Sequence, residues 1–252
     1  MNRPPSILDR TDHRPYPLPE GPWIMAQRWH DLLFAHWEIV PEVLRRAIPE
    51  PLELDLYAGT AWIGIVPFTM SGVRLRGTPT LPRLSAFPEL NVRTYVRHRD
   101  LAGVYFFSLD AGSRMAVAAA RRWYRLPYYR ARMEVHRLGG EIEYRSRRVH
   151  RGAAAAELVM RYRPTGDARL PASGSLDHWL VERYRLLTVS GGRVLVAEIH
   201  HPPWRLRPAA AEFHANTMTR GLGIDLPEGE PRLAFAERQK VLVWPPSDQH
   251  AN

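Results

Sequence analysis

Runs and alternations of apolar residues lay the chain out as strands joined by tight turns, with few helices between them. Residues 61–66, AWIGIV, form an apolar run that continues to 74 through VPFTMSGVR. Residues 91–98, NVRTYVRH, alternate β-branched or aromatic side chains with polar ones, the period of a strand with one buried face. Arg99 and Asp100 then turn the chain into 103–109, GVYFFSL, so the pair reads as a hairpin. Two further hairpins carry glycine turns. Residues 133–137 and 141–145 flank LGG, and 186–189 and 194–199 flank SGGR. Residues 233–243 are the predicted last strand.

Helical signals are short. Residues 41–48 open on a proline in the first turn and stop before Pro49. Residues 113–124, SRMAVAAARRWY, are alanine-rich, with arginines near the end where cations suit the helix dipole. Residues 175–182 and 208–217 are two more predicted helices. Hairpin-linked strands with a few helices predict an α+β, mainly β domain on a closed or strongly curved antiparallel sheet. The pattern divides the chain into a proline-bearing arm (1–22), a single domain (23–246) and a tail (247–252). No repeat and no linker interrupts the domain.

Composition narrows the function classes. The 252 residues suffice for a sizeable core. With no cysteine, disulfides, thiolate metal sites and a cysteine nucleophile are excluded. No run approaches the roughly 18 apolar residues of a membrane helix, and the N-terminus lacks an apolar export core. The expectation is therefore a cytoplasmic protein without a membrane partner. The net charge is +9, and Lys240 is the only lysine among 35 basic residues. The arginines are scattered and interleaved with glutamates, and no nucleic-acid reading motif accompanies them. That argues against a dedicated nucleic-acid domain but leaves a basic regulatory module as an alternative.

The familiar catalytic and phosphate-binding motifs are absent. AEIHHPPW puts Glu198 and His200 on one strand face and His201 on the other, and Glu212 and His214 follow in AEFHAN. These residue types suit a metal, or hydrogen-bonded histidines at a strand end. In a predicted helix Glu212 and His214 do not share a face, and neither a metal nor a cofactor is expected. His30 and His36 in WHDLLFAHW share a face if that strand is regular. In FPELNVRTYV, Glu89, Asn91, Arg93 and Tyr95 point one way, while Leu90, Val92, Thr94 and Val96 suit a core. The polar face is either the wet side of a sheet or the wall of a polar cavity. In ARRWYRLPYYRA, Arg121 and Arg122 stand beside Trp123, Tyr124 and Tyr128.

WHDLLFAHW, AWIGIVPF, FPELNVRTYV, GVYFFSLDA, ARRWYRLPYYRA, LVERYRL and HHPPW occur in this order between about Trp23 and Pro246. Together they resemble the YqjF-like family, whose fold is similar to that of acetoacetate decarboxylase. The resemblance implies a curved, closed sheet around a central cavity. Acetoacetate decarboxylase forms a Schiff base through one of two neighbouring lysines, with a glutamate nearby. By motif order the glutamate matches Glu89, and the lysines match Arg121 and Arg122. Arginine stays protonated and offers no free amine, so Schiff-base decarboxylation is not expected. Its planar fork instead suits a carboxylate. The resulting expectation is a small anionic, carboxylate or keto-acid-like ligand held by Asn91, Arg93, Tyr95, Arg121, Arg122, Tyr124, Tyr128 and His36. The rival for the arginines is a structural Arg–Glu network. An alternative function is lyase or hydratase chemistry with Glu89 as general base, although neighbouring arginines would keep that group ionised.

Overall fold

The computed structural model describes residues 6–80 and 85–248, without the Trp123 side chain. The strands are β1 (Met25–Ile39), β2 (Glu53–Leu54), β3 (Ala61–Leu75), β4 (Phe87–His98), β5 (Leu101–Ala111), β6 (Tyr128–Leu138), β7 (Glu141–Arg148), β8 (Glu157–Pro164), β9 (Arg185–Ser190), β10 (Arg193–His200), β11 (Arg207–Asn216), β12 (Arg232–Val243) and β13 (Ser247–Asp248). The helices are α1 (Pro41–Ala47), α2 (Arg114–Trp123) and α3 (Leu176–Val181). Ser113 and Ser175 cap α2 and α3 by accepting the backbone N–H groups of Ala116 and His178.

All thirteen strands belong to one sheet that branches. A strand has two edges, yet β5 and β12 each have three partners. β5 pairs with β4 on one edge; on the other it meets β6 at Leu109–Ala111 and β9 at Val104. β12 pairs with β1 on one edge; on the other it meets β11 at Ala234 and Phe235 and β10 at Leu242 and Val243. The wall β12-β1-β3-β4-β5 is thus common to two rings. Strands β6-β7-β8-β11 close one, and β9-β10 close the other. The two outer pairings of β5 are parallel, a departure from the all-antiparallel expectation. A parallel neighbour needs a crossover, and α2 supplies it between β5 and β6.

Alternation along the wall sends its side chains to two cores. Leu33, Ala35, Ile63, Ile65, Leu90 and Val92 pack with Tyr144, Leu158, Met160 and Tyr162 of the larger ring. Leu32, Phe34, Val66, Phe68, Tyr95 and Val104 gather with Val181 and Trp204 on the other side. The two buried tyrosines of the filled ring spend their hydroxyls on backbone carbonyls. Tyr144 donates to Glu89 O at 2.7 Å, and Tyr162 to Asp31 O at 2.8 Å.

Three expectations need correction. Residues 208–217 are not a helix, and all but the last belong to β11. Their alanines favour helix locally, yet Ala209, Ala211 and Phe213 alternate onto the filled core and pair with β8. On that strand Glu212 and His214 do come together, at 3.7 Å, both exposed. Second, β1 is irregular. Asp31 has φ 56°, and the register against β3 shifts between His30 and Ala35. The extra residue changes the phase, so His30 reaches outward to Ser71 Oγ while His36 turns inward. Third, the tail begins as structure, because Ser247 and Asp248 pair with Val196 and Leu195. The described part of the arm lies on the domain. His13 Nε2 is 2.8 Å from His201 O, and the buried Arg14 stacks over Tyr184 and faces Glu198 at 3.5 Å. Residues 1–5 of the arm and 249–252 of the tail lie outside the described residues.

Candidate functional site

The wall's second face, with β9, β10 and α2, encloses a cavity of about 660 Å³. This is within the usual range for small-molecule sites. Its walls are mostly apolar, built from Trp29, Leu32, Phe34, Val66, Phe68, Phe106 and Trp204. Trp29 packs on Phe68 at 5.5 Å between ring centres, and Phe34 meets the edge of Trp204 at 5.0 Å. The phase change at Asp31 makes this wall continuous, since it brings Trp29, Leu32 and Phe34 to one side. Leu75 and Met115, 46% and 64% exposed, line the cavity and so mark its mouth. The inner end lies by Leu180 and Val181, both buried.

Into this apolar space β4 projects Glu89, Asn91 and Arg93. Period two places them on one face, about 7 Å apart along the strand. Glu89 sits nearest the mouth and Arg93 deepest.

Arg93 Nη2 donates to Tyr95 Oη at 3.4 Å and to Leu180 O at 3.3 Å, both long for such bonds. Its Nε is buried with no hydrogen-bond partner. The hydrogen bonds of its guanidinium among the described residues are both made by Nη2, which leaves Nη1 without one. No carboxylate pairs with Arg93 among the described residues. Its guanidinium lies 5.3 Å from the centre of the Phe34 ring.

Tyr95 and His36 do not line the cavity, contrary to their expected role as ligand contacts. They sit behind Arg93 and fix it. Tyr95 donates its hydroxyl to Leu180 O at 2.7 Å, so at the 2.8 Å contact His36 Nε2–H must be the donor. Burial, then Arg93 and Arg232, hold the His36 pKa well below its ordinary value, so the ring is neutral. Across β1, β3 and β4, His36, Gly64 and Arg93 are in register. A Cβ on Gly64 would stand 2.8 Å from the imidazole, which explains the glycine in an otherwise bulky strand.

Glu89 is 2% exposed and accepts one hydrogen bond, from the Tyr128 hydroxyl to Oε2 at 3.0 Å. Oε1 has no partner among the described residues. Burial raises its pKa to about 8, and Asp110 adds to the rise. The expectation that neighbouring arginines keep Glu89 ionised fails because none pairs with it. Asp110, whose charge adds to that rise, is itself held by Arg148 at 2.7 Å. Tyr124 and Tyr128 both line the cavity. The Tyr124 hydroxyl is buried without a partner, and burial lifts its pKa to about 12.

Arg121 and Arg122 are the main misplacement. Both are exposed, and neither lines the cavity. α2 turns Ala116, Ala119 and Ala120 inward at helical spacing, which carries the next two residues out to solvent. Arg121 donates to Tyr128 O at 2.8 Å and lies over the Tyr129 ring, 5.8 Å away. Among the described residues, no ion pair of Arg121 or Arg122 with a glutamate forms the rival network either.

Two arginines of the cavity wall escaped the sequence reading, and His201 was read only as a metal candidate or a strand-end histidine. Arg183 is paired with Asp55 at 2.7 Å and stacked on Trp179; Arg185 is paired with Glu198 at 3.6 Å and stacked on Tyr16. His201 is fully buried and its pKa falls to about 3, through burial first. No cluster of three or more histidines or carboxylates among the described residues is placed to hold a metal. His200 instead contacts Ile7 O, and His201 contacts Pro202 O. Lys240 is exposed on β12 and is not in the cavity wall.

Comparison with known proteins places this geometry. The family model DUF2071, described as an uncharacterized conserved protein, matches residues 26–240. The uncharacterized protein YqjF of Bacillus subtilis (strain 168) is 45% identical over 239 residues, covering 95% of this chain and 98% of its own. Among solved structures, acetoacetate decarboxylase from Legionella pneumophila (strain Philadelphia 1) has a TM-score of 0.61 at 13% identity, covering 99% and 98% of the two chains. The enduracididine biosynthesis enzyme MppR, complexed with the condensation product of pyruvate and imidazole 4-carboxaldehyde, has a TM-score of 0.61 at 10% identity, covering 90% of each. At such identities the likeness is one of fold. Among the described residues no helix is long and apolar enough to cross a membrane.

Proposed function

The chain belongs to the DUF2071 family of YqjF-like proteins and has an acetoacetate decarboxylase-like fold, and from that premise we propose that its cavity binds a small organic acid. The carrying observation is Arg93, a guanidinium in an apolar cavity with a free Nη1 and no carboxylate partner among the described residues. Arg93 is half-buried with its Nε orphaned, and a ligand carboxylate would satisfy the fork through paired hydrogen bonds. Asn91 adds a buried amide oxygen with no partner among the described residues, and Glu89 adds a neutral carboxyl. The amide oxygen suits a donor on the ligand, and the protonated carboxyl can donate to a ligand oxygen. MppR holds a pyruvate condensation product in the same fold, which supports a keto-acid-like occupant.

Schiff-base chemistry is not part of this reading. The single lysine lies elsewhere, and the cavity wall contains none. A second reading, turnover by a lyase or hydratase mechanism, draws on Glu89. With a pKa near 8 it enters at neutral pH as a general acid rather than the general base first expected. The test is calorimetric titration with pyruvate, acetoacetate and related acids against wild type and Arg93→Gln. Saturable binding that drops at least tenfold in the variant is expected. Acids that bind both proteins equally would refute the reading. Turnover surviving Glu89→Gln would remove the second.

A further inference from the structure

The dimensions and polarity of the cavity narrow the ligand class. This step rests on the organic-acid reading above. We infer that the ligand is an amphipathic monocarboxylate that enters head first, with its carboxylate at Arg93 and its apolar body along the aromatic wall to the mouth.

Four observations converge. The first is size. An acid of pyruvate's dimensions would leave most of about 660 Å³ empty, a volume that elsewhere holds far larger molecules. The second is length. Phe87 lines the cavity near the mouth and Arg93 near its inner end, and six residues of strand span about 20 Å. The third is the position of charge. Of the deep arginines, Arg183 and Arg185 are taken by Asp55 and Glu198, and Arg93 alone lacks a carboxylate among the described residues. The fourth is the mouth. Its exposed Leu75 and Met115 offer apolar surface where a polar ligand would want none. A charged group left at this rim would gain little, whereas an alkyl or aryl tail would cover it. Arg74 also reaches the rim, but it is exposed and lies 6.0 Å from the Trp23 ring centre.

The experiment is calorimetric titration of the full chain with butanoate, octanoate, dodecanoate and octanol. Wild type, Arg93→Gln, Arg93→Lys, Arg74→Ala and Leu75→Asp are compared. Affinity is expected to rise with chain length, approaching roughly fourfold per methylene buried. Octanoate should bind at least tenfold tighter than octanol, and Arg93→Gln should erase that preference. Arg93→Lys, which keeps the charge, should retain part of it and so separates lost charge from lost folding. Leu75→Asp, at an exposed position, should weaken dodecanoate and leave butanoate unchanged. Butanoate binding through Arg93 with no gain from length would overturn the amphipathic class and leave the organic-acid reading standing. Loss of octanoate in Arg74→Ala but not in Arg93→Gln would overturn the head-first orientation. Octanol binding as tightly as octanoate in all variants would overturn the organic-acid reading itself, as would no binding by any acid.

Discussion

One face of the five-strand wall is packed and the other is hollow, although the same strands make both. On β4, Leu90 and Val92 are wholly buried against the filled ring, while their neighbours Glu89, Asn91 and Arg93 look into the cavity. Period two allows a single strand to serve packing and recognition at once, one residue apart. Stability and function are therefore separable here position by position, and mutations can test how cleanly.

The largest contrast is between adjacent residues. Leu90→Ala should cost roughly 2–5 kcal/mol, because it leaves a void among close-packed side chains. Asn91→Ala should cost less than about 1 kcal/mol, since it removes a buried amide oxygen that has no partner. Urea denaturation measures both, and equal losses would mean that the two faces are not distinct. Gly64→Ala comes next, at roughly 1–3 kcal/mol. Its methyl group meets the His36 ring, which Tyr95 holds in place. A neutral result by the same method would show that the support behind Arg93 gives way freely.

Protonation sharpens the comparison further. The folded chain keeps Glu89 protonated up to about pH 8, and the unfolded chain only to about 4.5. Its contribution to stability is therefore full below about pH 4.5 and is lost as pH rises to about 8. Glu89→Gln should flatten the melting temperature over that window; a slope unchanged from wild type would place the titration elsewhere. His201 works in the opposite sense. Its folded pKa of about 3 means that stability present above about pH 6.5 is lost as pH falls toward 3. The smallest effects belong to α2. Arg121→Ala and Arg122→Ala should each lie within about 0.5 kcal/mol of wild type and leave acid binding intact. A binding loss in either would return the helix arginines to the site.

The hairpins, α1 to α3 and the polar face of β4 were legible in the sequence because each depends on short-range pattern. Alternation put Glu89, Asn91 and Arg93 on one face, and the resemblance, not the pattern, turned that face toward a cavity. β11 was not legible, since its alanines are drawn into the sheet by pairing with β8, a long-range effect. Nor was the phase of β1, which turns on one left-handed residue, Asp31. Arg121 and Arg122 were misread because motif order fixes sequence position but not which side of a helix faces inward. Arg183 and Arg185 carried no distinguishing signal, and His201 stood out in HHPPW without any sign that it faces a cavity. Their place in the cavity comes from the fork that brings β9 and β10 against the wall.

That fork has a mechanical consequence. A hollow ring on its own would tend to collapse, because its walls lack neighbours across the gap. Here the filled ring acts as a buttress behind them. The amides of β1, β3 and β4 should therefore exchange with solvent only when the whole molecule unfolds, whereas α2, whose inner face meets the cavity, is free to open alone. Entry to the chamber then requires movement of the element beside its mouth and not of the wall itself.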